Sequence, residues 1–117
     1  MGTPRMRRVD EAVRAVLSDA IVTDLKDPRI GFVTVTAVQT SPDLRHARVH
    51  VSVLGGEDER QSTLAGLRSA HGFLQGRVAR ELRLKHTPEL EFRYDPSVDR
   101  GMRIEEILGE GGEEPAR

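Results

Sequence analysis

The chain has 117 residues, the length of one domain with a modest core, and only three Phe, one Tyr and no Trp. That core must be aliphatic, which disfavours RNA modules built on rows of stacking aromatics, and the absence of cysteine excludes disulfides, thiol catalysis and cysteine-ligated zinc. The formal net charge of −1 conceals a mildly basic body: residues 105–117 hold five Glu and one Arg, leaving 17 basic and 14 acidic side chains over residues 1–104, too small an excess to establish nucleic-acid binding by itself.

Met1 to Arg8 reads as a short, polar entry with Arg5, Arg7 and Arg8 close together, suited to phosphate contact or to plain solubility, and without the apolar region of a signal peptide. From Val9 onward, Val9, Ala12, Val13, Val16, Leu17, Ala20, Ile21 and Leu25 recur at three- and four-residue steps, which predicts a long amphipathic helix. Asp27 and Pro28 stop it, because proline disfavours helical geometry in the residue before it.

Alternation follows. Val33, Val35 and Ala37 are expected on one face of a strand, with Thr34, Thr36 and Val38 on the other. Ser41, Pro42 and Asp43 supply a turn. A second strand then places Ala47, Val49, Val51 and Val53 on one face and the polar His46, Arg48, His50 and Ser52 on the other, so the two strands should form an antiparallel hairpin. Gly55 and Gly56 end it, and Glu57 to Glu59 put negative charge at the start of the next helix, where the helix dipole favours it.

Ser62 to Leu84 reads as a helix interrupted and restarted. Leu64 and Leu67 carry helical spacing into a break at Ala70 to Gly72, and the spacing resumes at Leu74, Val78 and Leu82. Glycine inside a helix costs about 1 kcal/mol against alanine, so its place here marks a kink where another backbone or a ligand can come close. At about 100° per residue, Arg77, Arg80 and Arg83 fall nearly opposite the apolar residues of the second half. That face is either an ordinary solvated one or a phosphate-binding one.

His86, Thr87 and Pro88 lead to a third strand in which Leu90, Phe92 and Tyr94 alternate with Glu91 and Arg93, closed by Asp95, Pro96 and Ser97. Met102, Ile104, Ile107 and Leu108 fit a short amphipathic segment over one edge of the core, whereas Gly109 to Arg117 lacks the apolar content to fold. The expectation is one α+β domain over residues 1–108, with helices on one face of a small sheet, and a disordered acidic tail over 109–117. No apolar run approaches the roughly 20 residues needed to cross a bilayer, so a cytoplasmic protein without membrane contact is expected.

Catalysis finds no motif. No GxSxG elbow, P-loop or GxGxxG occurs, and no pair of carboxylates is placed for acid–base work. His46 and His50 lie four residues apart on a strand, about 13 Å, too far for both rings to reach one metal ion.

The runs DPRIGFVTVTAV at 27–38, SPDLRHARVHVSV at 41–53, AHG at 70–72, PELEFRYD at 88–95 and GMRIEEIL at 101–108, taken in this order, resemble the ribosome-binding factor A family of late small-subunit maturation. The resemblance implies a type II K-homology-like αββααβ fold, a three-stranded mixed sheet backed by helices. A helix–kink–helix with an AxG signature, matched by Ala70, His71 and Gly72, replaces the GxxG loop that clamps nucleic-acid backbones in ordinary K-homology domains. It further implies no enzymatic activity, and no cofactor or metal is expected. The implied partner is the immature 30S small subunit and its 16S rRNA near the 5′-terminal helix region, with support of precursor 5′-end processing and of growth in the cold, and release by a GTPase. A monomer is expected.

The RNA-binding residues expected on this basis are Arg5, Arg7, Arg8, Arg45, Arg48, Arg68, Ala70, His71, Gly72, Gln75, Arg77, Arg80, Arg83 and Lys85. Gln75 and Lys85 stand where the family often carries arginine. Lys85 keeps the charge but loses the bidentate fork, and Gln75 can donate a hydrogen bond yet releases no counterion. A K-homology-like module acting on non-ribosomal RNA, and a protein-interaction domain whose basic helix only solubilises, remain as alternative readings.

Overall fold

The computed structural model describes residues 4–96, so the expected terminal segment at 102–108, the acidic tail and the outer domain boundary lie outside the described residues. The elements are α1 (Pro4–Thr23), β1 (Val33–Thr40), β2 (His46–Val53), α2 (Glu57–Ser69), α3 (His71–Leu82) and β3 (Glu89–Tyr94). This is the expected αββααβ order. The sheet runs β1-β2-β3, with β1 antiparallel and β3 parallel to the central β2.

Each inward residue of β2 follows from its alternation: Ala47, Val49, Val51 and Val53 are buried beneath the helices, against Val13 and Leu17 of α1, Leu67 of α2 and Leu74 and Val78 of α3. Leu90 and Phe92 of β3 complete the layer, and Tyr94 packs at its margin. The opposite face of the sheet is polar, with Gln39, Arg48 and Arg93 exposed.

Three local features depart from the sequence expectation. First, α1 begins at Pro4 rather than Val9. Proline suits the first helical position because its missing N–H has no intrahelical partner there, and Arg5, Arg7 and Arg8 therefore ride on the first turns of a helix.

Second, β1 changes face midway. Val35 pairs with Val51 but Ala37 with His50, so Thr36 is an extra residue, a β-bulge. The buried residues are Val35, Val38 and Thr40, while Ala37 is only half-buried. The Thr36 hydroxyl lies 2.7 Å from Asp95 Oδ2 and 3.2 Å from the His50 carbonyl, which ties the bulge to the end of β3.

Third, the break between α2 and α3 is the single residue Ala70, at φ −89° and ψ 10°, and it does not use glycine's conformational freedom. A Cβ added at Gly72 would meet nothing within 4 Å, whereas one at Gly66 would lie 2.6 Å from Ile30 Cγ1. The close approach inside the molecule is thus between α2 and the 27–32 loop. Ser62 Oγ donates to the Arg29 carbonyl at 3.0 Å, and the Gly31 N–H donates to the buried Thr63 hydroxyl at 3.3 Å. At the other end of the sheet the Thr40 N–H and hydroxyl both donate to Asp10 Oδ1, the former at 2.9 Å, which fastens β1 to α1.

Gly66→Val should destabilise the fold by about 1–3 kcal/mol, the usual range for overpacking a tight contact. Gly72→Ala should be neutral or stabilising by up to about 1 kcal/mol from helix propensity. Urea denaturation of the two variants against the wild type checks both.

Candidate nucleic-acid interface

The register brings separate basic segments to one end of the sheet. His46, the first residue of β2, pairs with Glu89, the first of β3, and the Glu89 N–H donates to the Arg45 carbonyl at 2.8 Å. Arg45 in the β1–β2 turn is therefore beside the α3–β3 connection that carries Arg83, Lys85 and His86. Asp10 holds Thr40 at this same end, and Arg5, Arg7 and Arg8 lie on the turns of α1 just before it.

Local chemistry shapes each segment. In the turn, Asp43 Oδ1 accepts from Ser41 Oγ at 2.6 Å and from the Arg45 N–H at 3.1 Å. These bonds, the hydroxyl first, hold the Asp43 carboxyl below the usual carboxylate range, so the turn is braced at neutral pH and loosens only as pH falls through that lowered value. Arg83 ends α3 in the left-handed region, at φ 51° and ψ 41°, with its N–H on the Ala79 carbonyl at 3.2 Å. Glycine is the usual occupant of such a helix end. Arginine here accepts backbone strain while placing a cation at the tip of the helix.

Arg80, Arg83, Lys85, Arg45 and Arg48 carry no ion pair among the described residues. Arg77 is different. The helical wheel sets it opposite the packing face, but α1 lies there, and the Arg77 side chain is only 15% exposed. Its Nε donates to Glu81 Oε2 at 2.8 Å and its two terminal nitrogens to Asp19 Oδ2 at 3.2 Å and to Asp24 Oδ2. One guanidinium thus joins α1 to α3.

Gln75 is also occupied inside the fold. Its Nε2 donates to the Pro88 carbonyl at 2.7 Å, and the Leu90 N–H donates to its Oε1 at 3.1 Å. Arg68 donates to the Phe92 carbonyl at 3.2 Å. Both side chains occupy backbone groups on the outer edge of β3, which would otherwise offer unpaired donors and acceptors. Arg68 and His71 also line a cleft of about 560 Å³ between the kink and β3, whose other wall carries Glu89, Glu91 and Arg93.

The sequence-expected residues therefore form several groups. Arg45 stands beside the start of β3, to which the connection bearing Arg83 and Lys85 leads, with the start of α1 at the same end of the sheet; Arg80 is one turn back on α3; Arg68, Ala70, His71 and Gly72 sit at the kink; Arg48 stands on the open sheet face. Arg93, which lines the cleft and pairs with Glu91 at 3.3 Å, is absent from the sequence-expected set, since only the strand register shows which wall it joins.

Among the described residues no group of three His, Asp or Glu side chains is placed to hold a metal ion, and no helix is long and apolar enough to cross a membrane. His50 Nε2 is 3.1 Å from Gln39 Oε1, and His46 stands 4.0 Å from Glu91.

The sequence model of the ribosome-binding factor A family matches residues 5–108. A ribosome-binding factor A of Anaeromyxobacter dehalogenans is 54% identical over 116 residues, covering 96% of this chain and 84% of that one. The Geobacter metallireducens protein of the same name is 47% identical over 110 residues, covering 94% and 93%. The crystal structure of ribosome-binding factor A from Thermus thermophilus superimposes with a TM-score of 0.68 at 29% identity, covering 76% of this chain and 94% of that one. A homology model of the Thermus thermophilus factor, fitted into a cryo-EM map of its complex with the 30S subunit, gives 0.63 at 30% identity, covering 74% and 91%.

Arg77→Gln should lower the thermal midpoint by several degrees, because three carboxylates lose their shared partner, while Arg80→Gln should leave it within about 1 °C, as expected of an exposed surface side chain. Differential scanning calorimetry of the two variants separates the structural arginine from the exposed one.

Proposed function

Because the chain belongs to the ribosome-binding factor A family, we propose that it is a cytoplasmic, non-enzymatic assembly factor that binds the immature 30S subunit through its 16S rRNA. The observation that carries this reading is the β2–β3 register, which sets Arg45 beside the start of β3 and so beside the connection that carries Arg83 and Lys85, none of the three with a carboxylate partner among the described residues. Cations so placed neutralise phosphates and release counterions, which gives affinity and sets orientation without reading sequence.

The kink adds a second point of approach. The space outside Gly72 is open, so a backbone phosphate can draw near the chain there without meeting a side chain. Binding of this kind favours structured rRNA over unstructured strands. Gln75 and Arg68 take up backbone groups on the β3 edge, and among the described residues near the kink Phe73 alone is a partly exposed aromatic, at 45%. One such ring makes no platform for stacking and reading successive single-stranded bases, which weighs against a module for non-ribosomal RNA.

In this role the protein acts as a monomer near the 5′-terminal helix region, supports processing of the precursor 5′ end, above all in the cold, and leaves when a GTPase acts on the subunit.

Two variants test the reading by sedimentation with purified free 30S subunits over a salt series. Arg80→Glu with Arg83→Glu and Lys85→Glu should weaken binding at least about tenfold and flatten the dependence of log K on log salt by roughly 0.7–0.9 for each phosphate no longer neutralised. Arg83→Gly should bind less tightly yet be more stable by up to about 1 kcal/mol, since the left-handed backbone costs an L-residue about 1–2 kcal/mol that glycine avoids, offset in part by glycine's greater freedom in the unfolded chain. An unchanged salt slope in the triple variant would overturn the proposal. In cells, loss of the protein should leave 16S rRNA with an unprocessed 5′ end at low temperature, restored by the wild type and not by the triple variant.

A further inference from the structure

The far end of the sheet has the opposite chemistry. β2 runs from His46 to Val53, which at 3.3 Å per residue puts the two ends about 23 Å apart. There the Leu54 N–H donates to the Phe32 carbonyl at 3.0 Å and extends the β1–β2 ladder by one pair. The neighbouring pair, Val33 and Val53, faces the helices, so alternation turns Phe32 and Leu54 away from the core. Phe32 is 78% exposed and Leu54 61%. Two large apolar side chains are thus held side by side in water.

Leu54 also borders a cleft of about 330 Å³ between the 28–31 loop and the first turns of α2, where Pro28, Gly31, Asp58 and Glu59 form the walls. The rim is acidic, because α2 opens on Glu57, Asp58 and Glu59. Hydrogen bonds from Gln61 and then Arg60 hold the Glu57 carboxyl below the usual range, and backbone N–H groups of Glu59 itself and of Gly56 do the same for Glu59. Both are therefore ionised at neutral pH. Two cations beside it are engaged: Arg29 in a forked pair with Asp27, and Arg60 between Glu57 and the face of Tyr94, 4.8 Å from the ring centre.

We infer that this end docks a basic segment of a small-subunit protein, with an apolar anchor of that segment set against Phe32 and Leu54 and its lysines or arginines meeting Asp58 and Glu57. Charge selects this occupant. The carboxylates of the rim repel a phosphate backbone, and they repel the acidic residues 105–117 of this chain equally. The inference rests on the proposed function in that it places the protein partner on the subunit whose rRNA takes the basic end. The domain then spans RNA at one end of its sheet and protein at the other.

The test uses the full chain with a benzophenone amino acid in place of Phe32, and separately in place of Arg83, irradiated on purified free 30S subunits. Mass spectrometry should find rRNA adducts from position 83 and a lysine- or arginine-rich peptide of a small-subunit protein from position 32. Adding Asp58→Lys with Leu54→Ser to the position-32 protein should cut that adduct at least about fivefold, while the same pair leaves the position-83 adduct unchanged. Adducts from position 32 to rRNA, to a second copy or to residues 97–117, or none there while position 83 still reaches rRNA, would overturn the inference and leave the reading of the basic end intact. No adduct from either position would overturn both.

Discussion

β3 lies parallel to β2, and a parallel pair cannot be closed by a hairpin, so the chain has to cross back over one face of the sheet before β3 can begin. The crossover is the α2–α3 pair, and its packing buries the valines of β2. Because β3 starts beside the start of β2, the α3–β3 connection is delivered to the β1–β2 turn, and the acidic opening of α2 is left at the other end. The segregation of charge along the sheet is thus a consequence of strand direction.

Within this frame the polar side chains divide by what already holds them. Arg77 serves Asp19, Asp24 and Glu81, Gln75 serves Pro88 and Leu90, and Asp10 serves Thr40. These fasten α1 to α3, α3 to β3 and β1 to α1, and a ligand gains nothing from them without breaking the fold. The exposed cations at the turn, at the end of α3 and in the loop after it have no such duty. Arg83 goes further, since it holds a strained left-handed backbone that glycine would accept more readily, and a charge kept at the expense of stability is what a binding surface calls for.

Much of this was legible from residue order. The α1 periodicity, the Val49–Val51–Val53 alternation, the two-part helix and the Leu90–Phe92 strand each appear where the pattern placed them, because each reflects one face turned to a core. Apart from the early start of α1, which proline's local geometry explains, the departures share a cause, which is that they depend on what packs across. A helical wheel cannot know that α1 covers the flank on which Arg77 sits. Nor can alternation reveal that Thr36 is bulged out to meet Asp95, or the position of a glycine show that Ile30 presses on Gly66 rather than anything on Gly72. Of the candidate site, the arginine-rich end of α3 was visible, while the placing of Arg45 beside the start of β3 required the parallel register.

Hydrogen exchange of the full chain, free and saturated with purified 30S subunits, addresses the central claim most directly, since it reads protection along the backbone without any substitution. Protection concentrated at residues 41–46 and 83–88, with the first turns of α1, is what an rRNA-binding end built by the β2–β3 register requires. Protection that spares both of those segments, whatever it covers elsewhere, would contradict it.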